Sequence, residues 1–345
     1  MIVDLFSGPR GWSEGLRMLG LSDIGLEWET AACRTAHAAG HPVIQTDVAA
    51  YPTAPFAGRI TGLIASPPCQ AWSRAGKRGG LEDQPLITQT VHDLANGRDT
   101  RAKLKAACKD ERSILAAEPM RWLYDLRPEW VCMEEVPDVL PLFRQIAAVL
   151  RSWGYSVWVG VVNAADYGVP QTRRRAILIA SRARAVTAPA PSHSEHGAFG
   201  LFGDDLPRWI TMAEALGWGY TDRPAPTVTG GGTATGGPEP FGNATRRAMR
   251  KAMDDRKHWA WRKPAPTISG TVGHVGGKQA EGHLNLSPEE GALLQTFRPG
   301  YPFHGNKGQR SLQIGNAVPP LLAAHVASAA TGIPLPATES QPAAA

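Results

Sequence analysis

Cys69 is set apart from the other three cysteines of the chain by its neighbours. It lies in Ser66-Pro67-Pro68-Cys69-Gln70-Ala71-Trp72-Ser73, directly after the apolar run 61–65. Two consecutive prolines fix φ and remove backbone donors, so an apolar strand ending there delivers the next residue to the rim of a sheet. Free cysteine is usually a small buried hydrophobe, and Cys33, Cys108 and Cys132 fit that description. A thiol among turn and polar residues fits it poorly and is a candidate nucleophile once deprotonated. The cysteine spacing makes neither a zinc module nor a disulfide framework. His193 and His196 stand three apart in a Ser/Pro/Gly-rich stretch with no thiolate beside them, so no metal is expected.

Charged groups recur at the ends of other apolar runs. Glu134 and Glu135 follow the run 130–133. Two adjacent carboxylates after a buried strand either repel one another in a site or both point to water. Gln171-Thr172-Arg173-Arg174-Arg175 leads into the run 176–180. Alternation sends Arg173 and Arg175 to one side and Arg174 to the other, and the cluster suits an anion. Arg74-Ala75-Gly76-Lys77-Arg78-Gly79-Gly80 reads as a basic mobile loop able to close over a phosphate-bearing substrate.

A second set suits a nucleotide-like ligand. Asp4-Leu5-Phe6-Ser7-Gly8-Pro9-Arg10-Gly11 is a strand entering a glycine-bearing turn and then a helix. Such a turn lets backbone amides approach a ligand at the carboxyl end of the strand. The three-glycine spacing of a dinucleotide fingerprint is absent. Glu27 ends the second apolar run, where a carboxylate accepts from ribose hydroxyls or is merely solvated. Asp47 follows a short run at 42–45 and either meets an adenine amino group or shapes a turn. Gln313-Ile314-Gly315-Asn316-Ala317-Val318-Pro319-Pro320 reads as a constrained turn before a last helix.

The elements that must position these residues alternate. Strands are expected at 2–6, 24–28, 42–45, 61–65, 130–133, 156–162 and 176–180. Helices are expected at 14–19, 31–39, 114–126 and 140–153. That order predicts an α/β fold with a mostly parallel, doubly wound sheet of about seven strands. From about residue 182 to 283 the pattern breaks into Pro-, Gly-, Thr- and His-rich sequence with short helices at 211–216 and 243–253. There 223–230 (RPAPTVTG) and 263–270 (KPAPTISG) echo one another. Ser287-Pro288-Glu289-Glu290 carries a capping box, and a last helix is expected over 320–330. The tail after 335 is expected to be disordered.

At 345 residues the chain can bury a large core, and its net charge of +5 with a pI near 9.1 is compatible with a polyanionic partner. No run of eighteen apolar residues or cleavable leader is present, so a cytoplasmic protein is expected.

Taken singly, the residues stop at a cysteine-dependent α/β enzyme with a nucleotide-like ligand and an anionic partner. In order, they resemble the cytosine-C5 DNA methyltransferase family from near residue 2 to near residue 330. Pro67-Pro68-Cys69-Gln70, Asn163 through Gln171, Gln171-x-Arg173-x-Arg175 and Gly315-Asn316-x-Val318-Pro319 carry the resemblance. It implies a Rossmann-like S-adenosylmethionine-dependent methyltransferase fold in two catalytic parts, 1–181 and 284–334. Between them, 182–283 would be a small target-recognition domain reading double-stranded DNA. Phe6, Gly8, Gly11, Glu27, Asp47, Pro68 and Asn316 match cofactor-binding positions. Cys69 matches the nucleophile and Glu134 the acid near N3 of the base. Arg173 and Arg175 match the arginines that steady the base and nearby backbone. The implied protein is a monomer of prokaryotic or phage origin with no obligate protein partner, and its setting is a restriction-modification system, phage self-protection or an orphan regulatory role.

Three positions depart from the pattern. Arg10 stands where the glycine turn has glycine, Ser66 stands where glycine is common, and Glu135 replaces an asparagine. Arg10 requires either a backbone without positive φ or some strain. Glu135 exchanges an amide donor for an acceptor. RNA methylation and a catalytically impaired regulatory homologue are the competing expectations.

Overall fold

The structure is a computed structural model, and it describes residues 1–68, 79–197, 205–217, 225–226 and 286–336. The chain divides into two compact units. The first comprises Met1–Val162, Arg174–Ala190 and Ala324–Leu335; the second comprises Asn163–Arg173, Pro191–Ala323 and the C-terminal residues.

The first unit is built on seven strands: β1 (Ile2–Leu5), β2 (Asp23–Glu27), β3 (Val43–Gln45), β4 (Gly62–Ala65), β5 (Trp130–Glu135), β6 (Ser156–Asn163) and β8 (Arg174–Ser181). Their order across the sheet is β3-β2-β1-β4-β5-β8-β6. Strands β3, β2, β1, β4 and β5 are mutually parallel, and β8 runs antiparallel to β5. Strands β1, β4 and β5 are buried at every residue, as expected of strands covered on both faces. The sheet expected from the sequence is therefore present, with each strand within about two residues of its expected bounds and one antiparallel strand inserted near its edge.

Helices α1 (Gly11–Met18), α2 (Thr30–Ala38), α3 (Gly79–Ala95), α4 (Arg101–Lys105), α5 (Glu118–Leu126) and α6 (Leu140–Ser152) flank it. Val3, Leu5, Leu63, Val131, Met133 and Leu178 from the strands share one core with Ile87, Met120, Trp122, Leu142 and Phe143 from the helices. Helix α3 is a correction: the sequence reading had only a basic loop reaching residue 80. Gly79, Gly80 and Pro85 hid it, although Ile87, Val91 and Leu94 keep helical spacing and are all buried. The expected helix 114–126 is also divided. Residues Glu111–Ala117 are 3-10, and the α-helix begins at Glu118 with Pro119 in its first turn.

The second unit holds β7 (Gln171–Thr172), which pairs in parallel with β9 (Ala225–Pro226), part of the first copy of the sequence echo. Its helices are α7 (Met212–Leu216), α8 (Pro288–Leu294) and α9 (Lys307–Asn316). The capping box at α8 is formed, with Ser287 accepting from the Glu290 amide. The turn expected over 313–320 is confined to residues 317–319, and helix α9 runs into it. Asn306 and Gln309 make a capping box of their own there, an N-terminal signal the reading passed over. The last helix, α10, spans Pro320–Thr331. The expected helix at 243–253 and the second echo lie outside the described residues. Among the described residues no helix is long and apolar enough to cross a membrane.

A buried ionic knot ties the loop after β3 to the helices. Glu118, 1% exposed, accepts from Arg101 Nη1 at 2.5 Å and from Arg121 Nε at 2.6 Å. The same guanidinium groups donate to the carbonyls of Ala49 at 2.8 Å, Val48 at 2.9 Å and Tyr51 at 3.0 Å. Glu118→Ala leaves two partly buried cations without their shared carboxylate. It is expected to lower unfolding stability by about 3 kcal/mol, read from urea denaturation; a loss under about 0.5 kcal/mol, the range of an ordinary surface change, would show the knot to be dispensable.

Candidate active site

Strand order reverses between β1 and β4, and the carboxyl ends of these two neighbours bound the crevice where open α/β sheets take ligands. The turn leaving β1 is contorted. Phe6, Gly8 and Arg10 have φ of 59°, 51° and 74°, in the left-handed region that suits glycine and costs other residues strain. For Arg10, the strain alternative is the one realised. The turn is laced to β2: Ser7 N–H donates to Leu26 O at 3.1 Å and Gly8 N–H to Glu27 Oε2 at 2.7 Å. Gly11, buried, opens α1.

Glu27 also accepts the Glu29 amide through Oε1 at 2.7 Å. Burial raises its pKa above the ordinary carboxylate value, and these amide bonds oppose that rise. The outcome is a half-buried acceptor at a strand end, with its orientation fixed by backbone. The next residue, Trp28, is 68% exposed. A large aromatic left in water beside such an acceptor offers a stacking face for a flat ring. The sequence reading missed it, although its place directly after Glu27 was visible. Asp47 is half-buried and accepts the Ala49 amide through Oδ1 at 2.9 Å, the bond expected of a turn-shaping aspartate.

The departure at Ser66 has a partner. Ser66 Oγ accepts from Trp12 Nε1 at 2.9 Å, joining the stem before Pro67-Pro68 to helix α1. Pro68 is half-buried, and Cys69 lies outside the described residues, as does the basic loop to Arg78.

Ala65 at the end of β4 pairs with Met133 on β5, so the Pro-Pro segment leaves the sheet beside Glu134. Glu134 and Glu135 are 5% and 2% exposed, which overturns the alternative that both point to water. Glu134 Oε1 lies 2.9 Å from Arg175 Nε. Antiparallel pairing makes this possible: Glu134 faces Ile177, so the start of β8 meets the end of β5 and carries Arg175 to the carboxylate. Glu135 Oε2 accepts the Val136 amide at 2.5 Å, turning back on the chain.

In the second unit Arg173, 1% exposed, donates from Nη1 to Gly315 O at 2.9 Å. Gln171 Nε2 donates to Gln295 Oε1 at 2.9 Å, and Gln295 Nε2 to Ile314 O at 2.6 Å. Two consecutive carbonyls are thus held just before Asn316, which is exposed at the end of α9. Arg173 acts here as an internal brace, while Arg174 is exposed as alternation required. Gln295, fully buried, was not singled out by the sequence; an isolated glutamine after a helix gives no pattern to notice.

Strand order and the residues at the carboxyl ends of the sheet define a Rossmann-like methyltransferase fold. The C-5 cytosine-specific DNA methylase model matches residues 1–92, 101–200 and 226–331. The Type II methyltransferase M1.HphI of Haemophilus parahaemolyticus is 29% identical over 95% of this chain and 85% of its own length. M.HgiDI of Herpetosiphon aurantiacus, also a Type II methyltransferase, is 24% identical over 94% and 92%. The Dnmt2 methyltransferase of S. pombe superposes with a TM-score of 0.58 at 14% identity, covering 95% of this chain and 97% of that one, a likeness of fold. The chain belongs to the C-5 cytosine-specific DNA methylase family. It is a DNA (cytosine-5)-methyltransferase.

Three cysteines can be weighed as competing nucleophiles. Burial, the first cause in each case, pushes the thiols of Cys33 and Cys108 up to about 11 and that of Cys132 higher still. A raised pKa lowers the thiolate fraction at neutral pH, to about one part in a thousand at pH 8 for a pKa near 11. Brief iodoacetamide treatment of the folded protein at pH 8, mapped by peptide mass spectrometry, is expected to modify Cys69 and spare Cys33 and Cys132. Preferential labelling of either buried cysteine would contradict this ranking.

Proposed function

We propose that the protein transfers a methyl group from S-adenosylmethionine to C5 of cytosine within a specific double-stranded DNA sequence, with Cys69 as nucleophile and the target base flipped out of the helix. The observation that carries this reading is the pairing of β4 with β5. It brings the stem of the Pro-Pro-Cys segment beside a buried carboxylate that is already paired with an arginine.

The residues at the β1–β4 crevice fit the cofactor. Glu27 offers its carboxylate to the ribose hydroxyls, and Trp28 a face for the adenine. Asp47 is assigned to the adenine edge, and Phe6, Gly8, Gly11 and Pro68 to the cofactor turn and crevice. Asn316 is assigned to the cofactor on the family pattern alone. S-adenosylmethionine, when bound, supplies an electrophilic methyl group on a sulfonium.

Cytosine C5 is a poor nucleophile until C6 is attacked. The Cys69 thiolate forms a bond to C6, and its electron pair moves the ring density toward N3 and C5. Glu134 shares a proton with N3 during this addition, dispersing the charge. Arg175 holds Glu134 in place, and Arg173 braces the Gly315 carbonyl before Asn316. After C5 is methylated, loss of its proton and expulsion of the thiolate restore the aromatic ring. Stacking buries both target atoms inside duplex DNA, which is the reason for extruding the base. Residues 182–283 are assigned to sequence reading, and relatives named Type II methyltransferases support a restriction-modification setting.

The direct test is methylation sequencing of DNA from a methylation-free host expressing the chain, with Cys69→Ala as control. The parent is expected to mark one motif and the variant none. DNA containing 5-fluorocytosine at that motif is expected to trap the parent covalently through Cys69, because fluorine blocks the final proton loss. A trapped peptide containing another cysteine would overturn the assignment.

The paired glutamates separate in single-turnover methylation. Glu134→Gln keeps size but loses the exchangeable carboxyl proton, and the chemical step is expected to slow by about 10²-fold or more, the range of general acid–base catalysis. Glu135→Asn retains an acceptor oxygen near the Val136 amide and is expected to keep most activity. Near-parental rates in the first variant and none in the second would reverse the roles.

A further inference from the structure

Arg10 is among the largest fully buried side chains of the protein, at 0% exposure, although it sits at the N-cap of α1 with a left-handed backbone. Its guanidinium turns inward. Nη2 donates to Asp23 Oδ2 at 2.8 Å, and Nη1 lies 3.7 Å from Asp4 Oδ2. Ser13 Oγ donates to the same Asp23 oxygen at 3.1 Å. Asp4 has no hydrogen-bond donor at either oxygen among the described residues, so Arg10 is its nearest compensating charge. Burial raises the Asp4 carboxyl well above the usual range, with Arg10 opposing that shift.

Asp23, Gly25 and Glu27 alternate along one face of β2, and register sets Asp4 beside Gly25. Arg10 lies along this row. A Cβ on Gly25 would fall 1.5 Å from Arg10 Nη1, well inside any tolerable contact, and 2.4 Å from Ser7 Oγ. Gly25 has no left-handed φ to explain it. Its missing side chain is the channel through which the arginine passes.

The cofactor turn is therefore bolted to both ends of one strand. Gly8 is fastened to Glu27 at the carboxyl end of β2, and Arg10 to Asp23 at its beginning. We propose that Arg10 is a positioning residue for the cofactor site, a buried charged strut that holds the Phe6–Gly11 turn against Glu27, and that Gly25 is its required counterpart. This inference rests on the reading of Glu27 as a ribose acceptor. The strut holds the turn by ion pairing despite the left-handed backbone at Arg10, and neither residue of the pair can be exchanged alone.

The test uses the full-length protein and S-adenosylhomocysteine, with affinity from calorimetry and thermal melting alongside. Gly25→Ala in the parent is expected to weaken binding by about tenfold or more, as is Arg10→Gly, which leaves Asp4 and Asp23 buried without their cation. Adding Gly25→Ala to Arg10→Gly is expected to cost less than about twofold further, because the colliding guanidinium is gone and the other close atom, Ser7 Oγ, ends a short side chain that can turn away. Adding Asp23→Asn to Arg10→Gly is expected to recover part of the lost affinity, which a simple loss of packing would not allow. Arg10→Lys, which retains the cation, is the fallback if Arg10→Gly does not fold, and is expected to bind better than Arg10→Met. Equal penalties for Gly25→Ala in both backgrounds, parental affinity in Arg10→Gly, or Arg10→Lys no better than Arg10→Met would each overturn the proposal. Glu27→Ala is the reference. If it binds as the parent does, the cofactor reading itself fails. If it weakens binding while Arg10→Gly does not, only the strut fails.

Discussion

Strand β1 pairs in parallel with β2 on one side and β4 on the other, and the chemistry of this protein hangs on that reversal of order. Connections leaving neighbouring strands in opposite directions open a crevice at their carboxyl ends, where backbone groups are free to meet a ligand. The Phe6–Gly11 turn, Glu27 and the Ser66-Pro67-Pro68 stem all stand at this end of the sheet. Strand β8, antiparallel to β5, extends the arrangement. Because it runs against β5, its first residues return to the same end, and Arg175 arrives at Glu134. A parallel strand in that place would have delivered its carboxyl terminus there instead, and the arginine pair would have stood at the far edge.

Much of this was legible because parallel, buried strands write continuous apolar runs. Ile2–Leu5, Gly62–Ala65 and Trp130–Glu135 stand out by composition and by the polar residues that stop them. Helix α3 was not legible: two glycines at its start and Pro85 within it signal a loop locally, and burial of Ile87, Val91 and Leu94 overrides them. The acidic and thiol candidates could be named from position at strand ends. Their partners could not. Arg175 reaching Glu134 depends on strand direction, and Arg173 reaching Gly315 spans 142 positions, so neither follows from local spacing.

The three departures from the family pattern each come with a local partner. Ser66 accepts from Trp12. Glu135 accepts from the Val136 amide, a donor that a buried carboxylate at a strand end needs. Arg10 reaches Asp23 through the space above Gly25. These are solutions to one problem, the presence of polar groups in an interior that penalises any left unpaired.

The three solutions differ in how far they reach. The Glu135 bond is confined to adjacent residues, and it shapes only the exit from β5. The Trp12–Ser66 bond joins α1 to the stem that precedes Cys69, so the turn at β1 and the segment leaving β4 share a support. Arg10 joins the same helix start to β2. Helix α1 is thereby bonded to the segment leaving β4 and to the amino end of β2, the strands on either side of β1. An element that carries none of the candidate catalytic residues thus ties these two strands together.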